Sequence, residues 1–219
     1  MTGSETIAQP LPASSEKAFT LALWLAVITI FYNIVEGLVS VYWGVSDETI
    51  SLFGFGLDSF VEVISGAGIL HMILRIRRSA DDHFDQFERT ALRITGTAFY
   101  ILTASLVLTA AVQIFSGHKP ETTLGGVIIS LISILTMGVL IHFKLRAGRA
   151  LNSQAIIADA NCTKACLYLS VVLLAASLGY MLTGFGGVDS LGALGIAFFS
   201  AKEGREAFEK AKGVVCGCS

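Results

Sequence analysis

The stretch Ala158-Asp159-Ala160-Asn161-Cys162-Thr163-Lys164-Ala165-Cys166 decides how this chain is read. It lies inside an otherwise apolar segment running from about Ser153 to Leu182. That segment exceeds the roughly 20 residues needed to span the hydrocarbon of a bilayer. Cys162 and Cys166 are spaced i,i+4, so on a helix their Cβ atoms stand roughly 5–6 Å apart on one face. Asp159 lies one turn before Cys162 on nearly the same face. Two soft ligands and a carboxylate on one stripe of a membrane helix point to a metal ion. Ionisable residues at membrane depth are costly and mark functional sites by default.

The composition agrees with a membrane setting. Of 219 residues, 53% are hydrophobic and 15% charged. A soluble domain carries about 25% charged residues. The mean hydropathy of +0.70 therefore reads as an integral membrane protein, expected in the inner or plasma membrane. Glycine, with 22 residues, suits helices that approach closely in lipid. The net charge of -2 says little about partners; no nucleic-acid partner is expected. Residues 1–17 carry no charged n-region or small-residue cleavage site, so they read as a disordered lead rather than a signal peptide. The cysteines fall into two close pairs, 162/166 and 216/218. An i,i+4 pair on one helix is poorly placed for a disulfide, whose Cβ atoms want about 3.8 Å. Free thiols or ligands are expected instead.

Six apolar segments can be marked: about Ala18–Trp43, Thr49–Ile76, Ala91–Phe115, Leu124–Phe143, Ser153–Leu182 and Val188–Ser200. The first five are long enough to span; the sixth is shorter, with Lys202 and Arg205 able to snorkel at its end. The expected class is all-α, a six-helix transmembrane domain over residues 18–200. A short charged cytoplasmic helix and a Cys-containing tail occupy 201–219, which leaves no room there for a folded soluble domain. Basic residues fall at one end. Arg75, Arg77, Arg78, Arg89 and Arg93 lie between segments two and three; Lys144, Arg146 and Arg149 lie between four and five; Lys202, Arg205, Lys210 and Lys212 follow six. The opposite loops hold Lys119 alone. By the positive-inside rule, both termini are cytoplasmic.

Segment two supplies a second i,i+4 pair, Asp58 and Glu62. Two carboxylates on one stripe repel unless one is protonated or a cation sits between them. If segments two and five face each other, Asp58, Glu62, Cys162 and Cys166 form a four-ligand site for a tetrahedral divalent ion, zinc first. Two thiolates favour softer ions such as cadmium or cuprous copper over magnesium. Asp159 is a group behind the ligands or on the ion's entry path. Asn33 is either a helix-bonding amide or part of that path. Glu36 is either a proton or ion path or a solvated rim. Asp189 reads first as a cap or first-turn acid favoured by the helix dipole. Lys164, between the cysteines, is either an internal counter-ion for the empty site or a structural partner of Glu36 or Asp159. His71 and His142 read as interfacial, His83 as part of an acidic loop, and Cys216-Gly-Cys218 as a soft-metal clip or nothing. No catalytic residue and no resident cofactor are expected; the metal is cargo.

These residues together resemble the cation diffusion facilitator transporters, over about residues 18–212. That family's second helix reads His or Asp, three residues, then Asp, and Asp58 and Glu62 stand there. Its fifth helix reads Ala-Asp-Ala-x-His-x-x-x-Asp. Ala158, Asp159 and Ala160 match, with Cys162 and Cys166 in place of His and Asp. Asn33, Glu36 and Gly37 in helix one, and Asp189, Ala193, Leu194 and Gly204 in and after helix six, are also similar to the family. The elements before helix three are reduced to Phe87-Glu88-Arg89. The resemblance implies a dimeric secondary transporter that binds a divalent metal between helices two and five and exchanges it for protons. It also implies that the chain holds the membrane domain without the family's cytoplasmic metal-binding domain. A second expectation is a membrane-embedded, metal- or redox-responsive binding protein without transport.

Overall fold

The structure, a computed structural model, describes residues 13–79, 86–117, 119–121 and 123–212, with the backbone alone at 13–15, 65, 76–79, 87, 88, 154, 155, 158 and 162. The acidic loop around His83, the Cys216/Cys218 tail and most of the expected lead lie outside the described residues. Six helices follow in order: α1 Ala13–Ser46, α2 Ile50–Ser79, α3 Gln86–Ser116, α4 Leu124–Leu151, α5 Gln154–Thr183 and α6 Gly187–Ala211. There is no strand among the described residues.

The helices outrun the apolar segments that predict them. At about 1.5 Å per residue, the 30 residues of α2 exceed a hydrocarbon core of about 30 Å. The arginines between segments two and three, and those between four and five, therefore ride on helix ends rather than loops. The α4–α5 connection shrinks to Asn152 and Ser153. Asn152 ends α4 with a left-handed φ of 50°, a conformation its short polar side chain tolerates. Ser153 caps α5 by accepting from the Ile156 N–H.

Five helices, α1 to α5, are long and apolar enough to cross a membrane. The helix α6 is not among them. Its polar residues from Lys202 to Ala211 continue the helix that begins at Gly187, as the sixth segment's expected polar continuation. α6 nonetheless packs into the bundle, chiefly on α3 and also on α5 and α2. α1 pairs mainly with α2, and α4 with α5.

The bundle is apolar outside as well as inside. Trp24, Phe31, Leu108, Leu135 and Phe198 are large, exposed side chains on four of the helices. Helices hydrophobic all round belong in a core or a membrane. Inside, Leu52, Phe55, Leu106, Leu169, Leu173 and Ile196 pack in one cluster, drawn from α2, α3, α5 and α6. A second cluster at the end of the bundle carrying the basic residues joins Phe19, Ile69, Met72, Ala147 and Ile156.

Two devices close the opposite end. First, Gly44 of α1 lies against α2, where a Cβ would meet the Phe53 backbone N at 2.5 Å and Cα at 2.7 Å. Second, Asp189 of α6 accepts from the backbone N–H groups of Ile50 at 2.9 Å and Ser51 at 3.2 Å, and from the Ser51 hydroxyl. These are first-turn donors of α2 that have no partner within their own helix. Asp189 is indeed a first-turn acid of α6, but the helix it caps is α2.

Gly44→Ala is expected to lower unfolding stability by about 1–3 kcal/mol, the range for overpacking. Gly138→Ala, at a site with nothing within 4 Å, is expected to hold or gain stability, since Ala costs about 1 kcal/mol less than Gly in a helix. Asp189→Ala, which strands buried N–H donors, is expected to cost about 1–3 kcal/mol. Thermal unfolding of the purified protein checks all three.

Candidate metal-ion site

The site is built where α2 and α5 meet. Asp58 and Glu62 sit one turn apart on α2, and Cys162 and Cys166 one turn apart on α5. Glu62 and Cys166 touch: the buried Cys166 thiol donates to Glu62 Oε1. The other Glu62 oxygen, Oε2, accepts from Asn33 Nδ2 of α1 at 3.1 Å. Three helices thus converge on one carboxylate. The amide of Asn33 is therefore in the site, and its Oδ1 is buried without a partner.

Asp58 lies one turn further from the basic end and is fully enclosed. Its Oδ1 accepts from the Ser200 hydroxyl of α6 at 2.9 Å. Cys162 lies on α5, but its side chain is outside the described residues. Among the described residues, no three His, Cys, Asp or Glu side chains stand close enough together to hold an ion. The arrangement is a bound pair, Glu62 and Cys166, with Asp58 one helical turn away.

A cleft reaches this pair from the basic end of the bundle. Asn33, Glu62 and Cys166 line it, as do Thr95, Lys144, Asp159 and Glu203. The Thr95 hydroxyl, like Asn33 Oδ1, is buried there and has no hydrogen-bond partner. Glu203 lies beyond the apolar part of α6. Burial, and then the nearby Glu206, push its carboxyl up to about 7.

The lysine in the cysteine motif is not the one that serves the cleft. Lys164 is half-buried and donates to Asn161 Oδ1 on its own helix at 3.0 Å. The expectation that it neutralises the site or pairs with Asp159 or Glu36 does not hold, because it stands one residue, about 100° of helical turn, off the inward stripe. Asp159 instead pairs with Lys144 of α4, at 3.0 Å. Lys144 also donates to Thr163 Oγ1 at 2.9 Å.

Glu36 is buried, so it is not a solvated rim. It accepts from Tyr32 Oη at 2.8 Å and from Ser59 Oγ at 3.2 Å. Of the histidines on helices, His142 is exposed on α4 and His71 half-buried on α2; neither lines the cleft.

Lys144, Thr163, Ser200 and Glu203 are site residues that sequence reasoning missed. The signal for Lys144 was its spacing. It continues the buried stripe Ser133, Met137, Leu140, Lys144, Ala147, at intervals of three and four.

A family model, the cation efflux transmembrane domain, matches residues 20–213. An uncharacterized transporter of Methanocaldococcus jannaschii is 27% identical over 164 residues, covering 73% of this chain and 57% of that protein. Transmembrane protein 163 of Xenopus laevis is 27% identical over 148 residues, covering 68% of this chain and 52% of that protein. The chain thus spans about half the length of these curated relatives. With the domain model covering nearly the whole helical bundle and an integral membrane architecture beneath it, the chain belongs to the cation efflux family, a family of cation transporters.

Proposed function

We propose that the chain carries zinc or a softer ion, such as cadmium, out of the cell by alternating access in exchange for protons. Asp58, Glu62, Cys162 and Cys166 are its ligands. The observation that carries this assignment is the contact of the Cys166 thiol with the Glu62 carboxylate across α2 and α5, at the inner end of a cleft. The chemistry follows from that contact. One proton lies between two potential ligands, and the thiol must lose it before both can bind one metal. Metal affinity is coupled to proton release wherever ligands must deprotonate. Exchange of the ion for protons then needs no separate proton site.

The cleft opens at the end where the basic residues gather, which the positive-inside rule makes cytoplasmic. At the other end, the Asp189 cap and the close approach at Gly44 hold the helices together. This difference between the ends supports an inward-facing reading. An entering ion meets the Glu203 carboxyl and the unpaired Asn33 and Thr95 oxygens, then the Glu62–Cys166 pair. Thiolate and carboxylate ligands together suit zinc at four-coordinate geometry, and sulfur shifts preference toward softer ions. The family resemblance and the apolar outer faces support a homodimer in the bilayer.

Purified protein in zinc-loaded vesicles tests this. Wild type is expected to move zinc against a proton gradient, and Asp58→Ala combined with Cys162→Ala is expected to reduce flux at least tenfold. Undiminished flux in the double variant contradicts the ligand assignment. Tight zinc binding by wild type with no flux favours a metal- or redox-responsive binding protein instead.

A further inference from the structure

Lys144 stands among basic residues in the sequence, yet it behaves unlike them. Arg146 and Arg149 are exposed on the same helix. Lys144 has 2% of its side chain exposed and points into the cleft that leads to Glu62 and Cys166. Its ammonium lies 3.0 Å from Asp159 Oδ2 and donates to Thr163 Oγ1 at 2.9 Å. Taking two charges out of water is expensive, and a well-packed apolar pair holds two helices together as well or better. The α4–α5 hairpin is already fixed by the turn at Asn152 and the Ser153 cap. Helix pairing alone therefore does not account for this ion pair.

Its place accounts for it better. Asp159, Thr163 and Cys166 follow one another at intervals of four and three on α5, so they share the stripe facing the cleft. Asp159 lies seven residues before Cys166, about 10 Å along the axis. A fixed charge at that distance, in an interior of effective dielectric about 20, shifts ion binding severalfold to a hundredfold. The ammonium carries the same sign as the cargo and occupies a carboxylate the cargo would otherwise use.

We propose that Lys144 is a tethered cation that holds Asp159 out of the ion's coordination, and so sets how tightly the carrier grips its metal. This rests on the cation-carrier assignment above. With Lys144 in place, an ion entering the cleft passes a neutral pair rather than a bare carboxylate. Its affinity stays low enough for release on the far side. Lys144 is thus a positioning and affinity-setting residue, not a ligand.

Zinc titration of this 219-residue chain in lipid nanodiscs, with vesicle flux alongside, tests it. Lys144→Met frees Asp159 and is expected to tighten zinc binding tenfold or more while slowing flux. Asp159→Asn leaves the ammonium uncompensated and is expected to weaken zinc binding tenfold or more. The double variant removes both charges and is expected within about threefold of wild type. A purely structural pair lowers the melting temperature of both single variants without moving affinity in opposite directions. Single variants that both bind zinc like wild type, or shift the same way, overturn the proposal. If Lys144→Met does not fold, Asp159→Asn alone decides: unchanged affinity overturns it. Wild type that binds no zinc removes the carrier assignment and this proposal with it, whereas normal wild-type binding and flux with unmoved variants removes this proposal alone.

Discussion

The contact between Glu62 and Cys166 is the constraint around which the bundle is arranged. In a medium without water, each of these polar groups needs a partner inside the protein. They find it in each other, across two helices far apart in sequence, and Asn33 adds a third helix to the same carboxylate. Everything near that point is built to bring backbones close and keep lipid out. Met137 and Leu140 of α4 pack with Cys166 and Leu25 of α1 in one cluster. Ser170 of α5 donates to Ser133 of α4 at 2.8 Å just beyond it. Polar residues scattered along the helices thus find partners inside the bundle.

The two ends of the bundle differ. At the end away from the basic residues, Asp189 ties α6 to the start of α2 through three donors, and Gly44 lets α1 and α2 touch. At the basic end the contacts are different in kind. Arg89 of α3 reaches the Ala211 carbonyl at the end of α6 at 3.1 Å, while Lys144 and Asp159 pair inside. Hydrogen bonds that join one helix to another can break without unravelling either helix, which suits the alternating access proposed above.

Much of this was legible in the sequence, and what was not has specific causes. The helices follow from apolar length, and the pairs Asp58/Glu62 and Cys162/Cys166 follow from i,i+4 spacing in two spans. The Glu62–Cys166 contact supports that the two pairs face each other. Lys164 misled because it lies within the motif in sequence, while one helical residue is enough to turn it away. Lys144 was hidden by company: counted with Arg146 and Arg149, it voted on topology, although its register with Met137 and Leu140 puts it inside. Asp189 was correctly read as a helix-terminus acid, but its helix is α2, more than a hundred residues earlier. No local pattern reports a cap supplied from that distance. The ends of helices were also misjudged, because apolar length marks the hydrocarbon and not the helix.

The most direct test of the account is X-ray absorption spectroscopy of this 219-residue chain loaded with one equivalent of zinc. A shell of sulfur at about 2.3 Å with oxygen at about 2.0–2.2 Å is the predicted result, with the sulfur contribution reduced in Cys166→Ala. A zinc shell of oxygen and nitrogen alone, unaltered by that substitution, would contradict a site shared between α2 and α5.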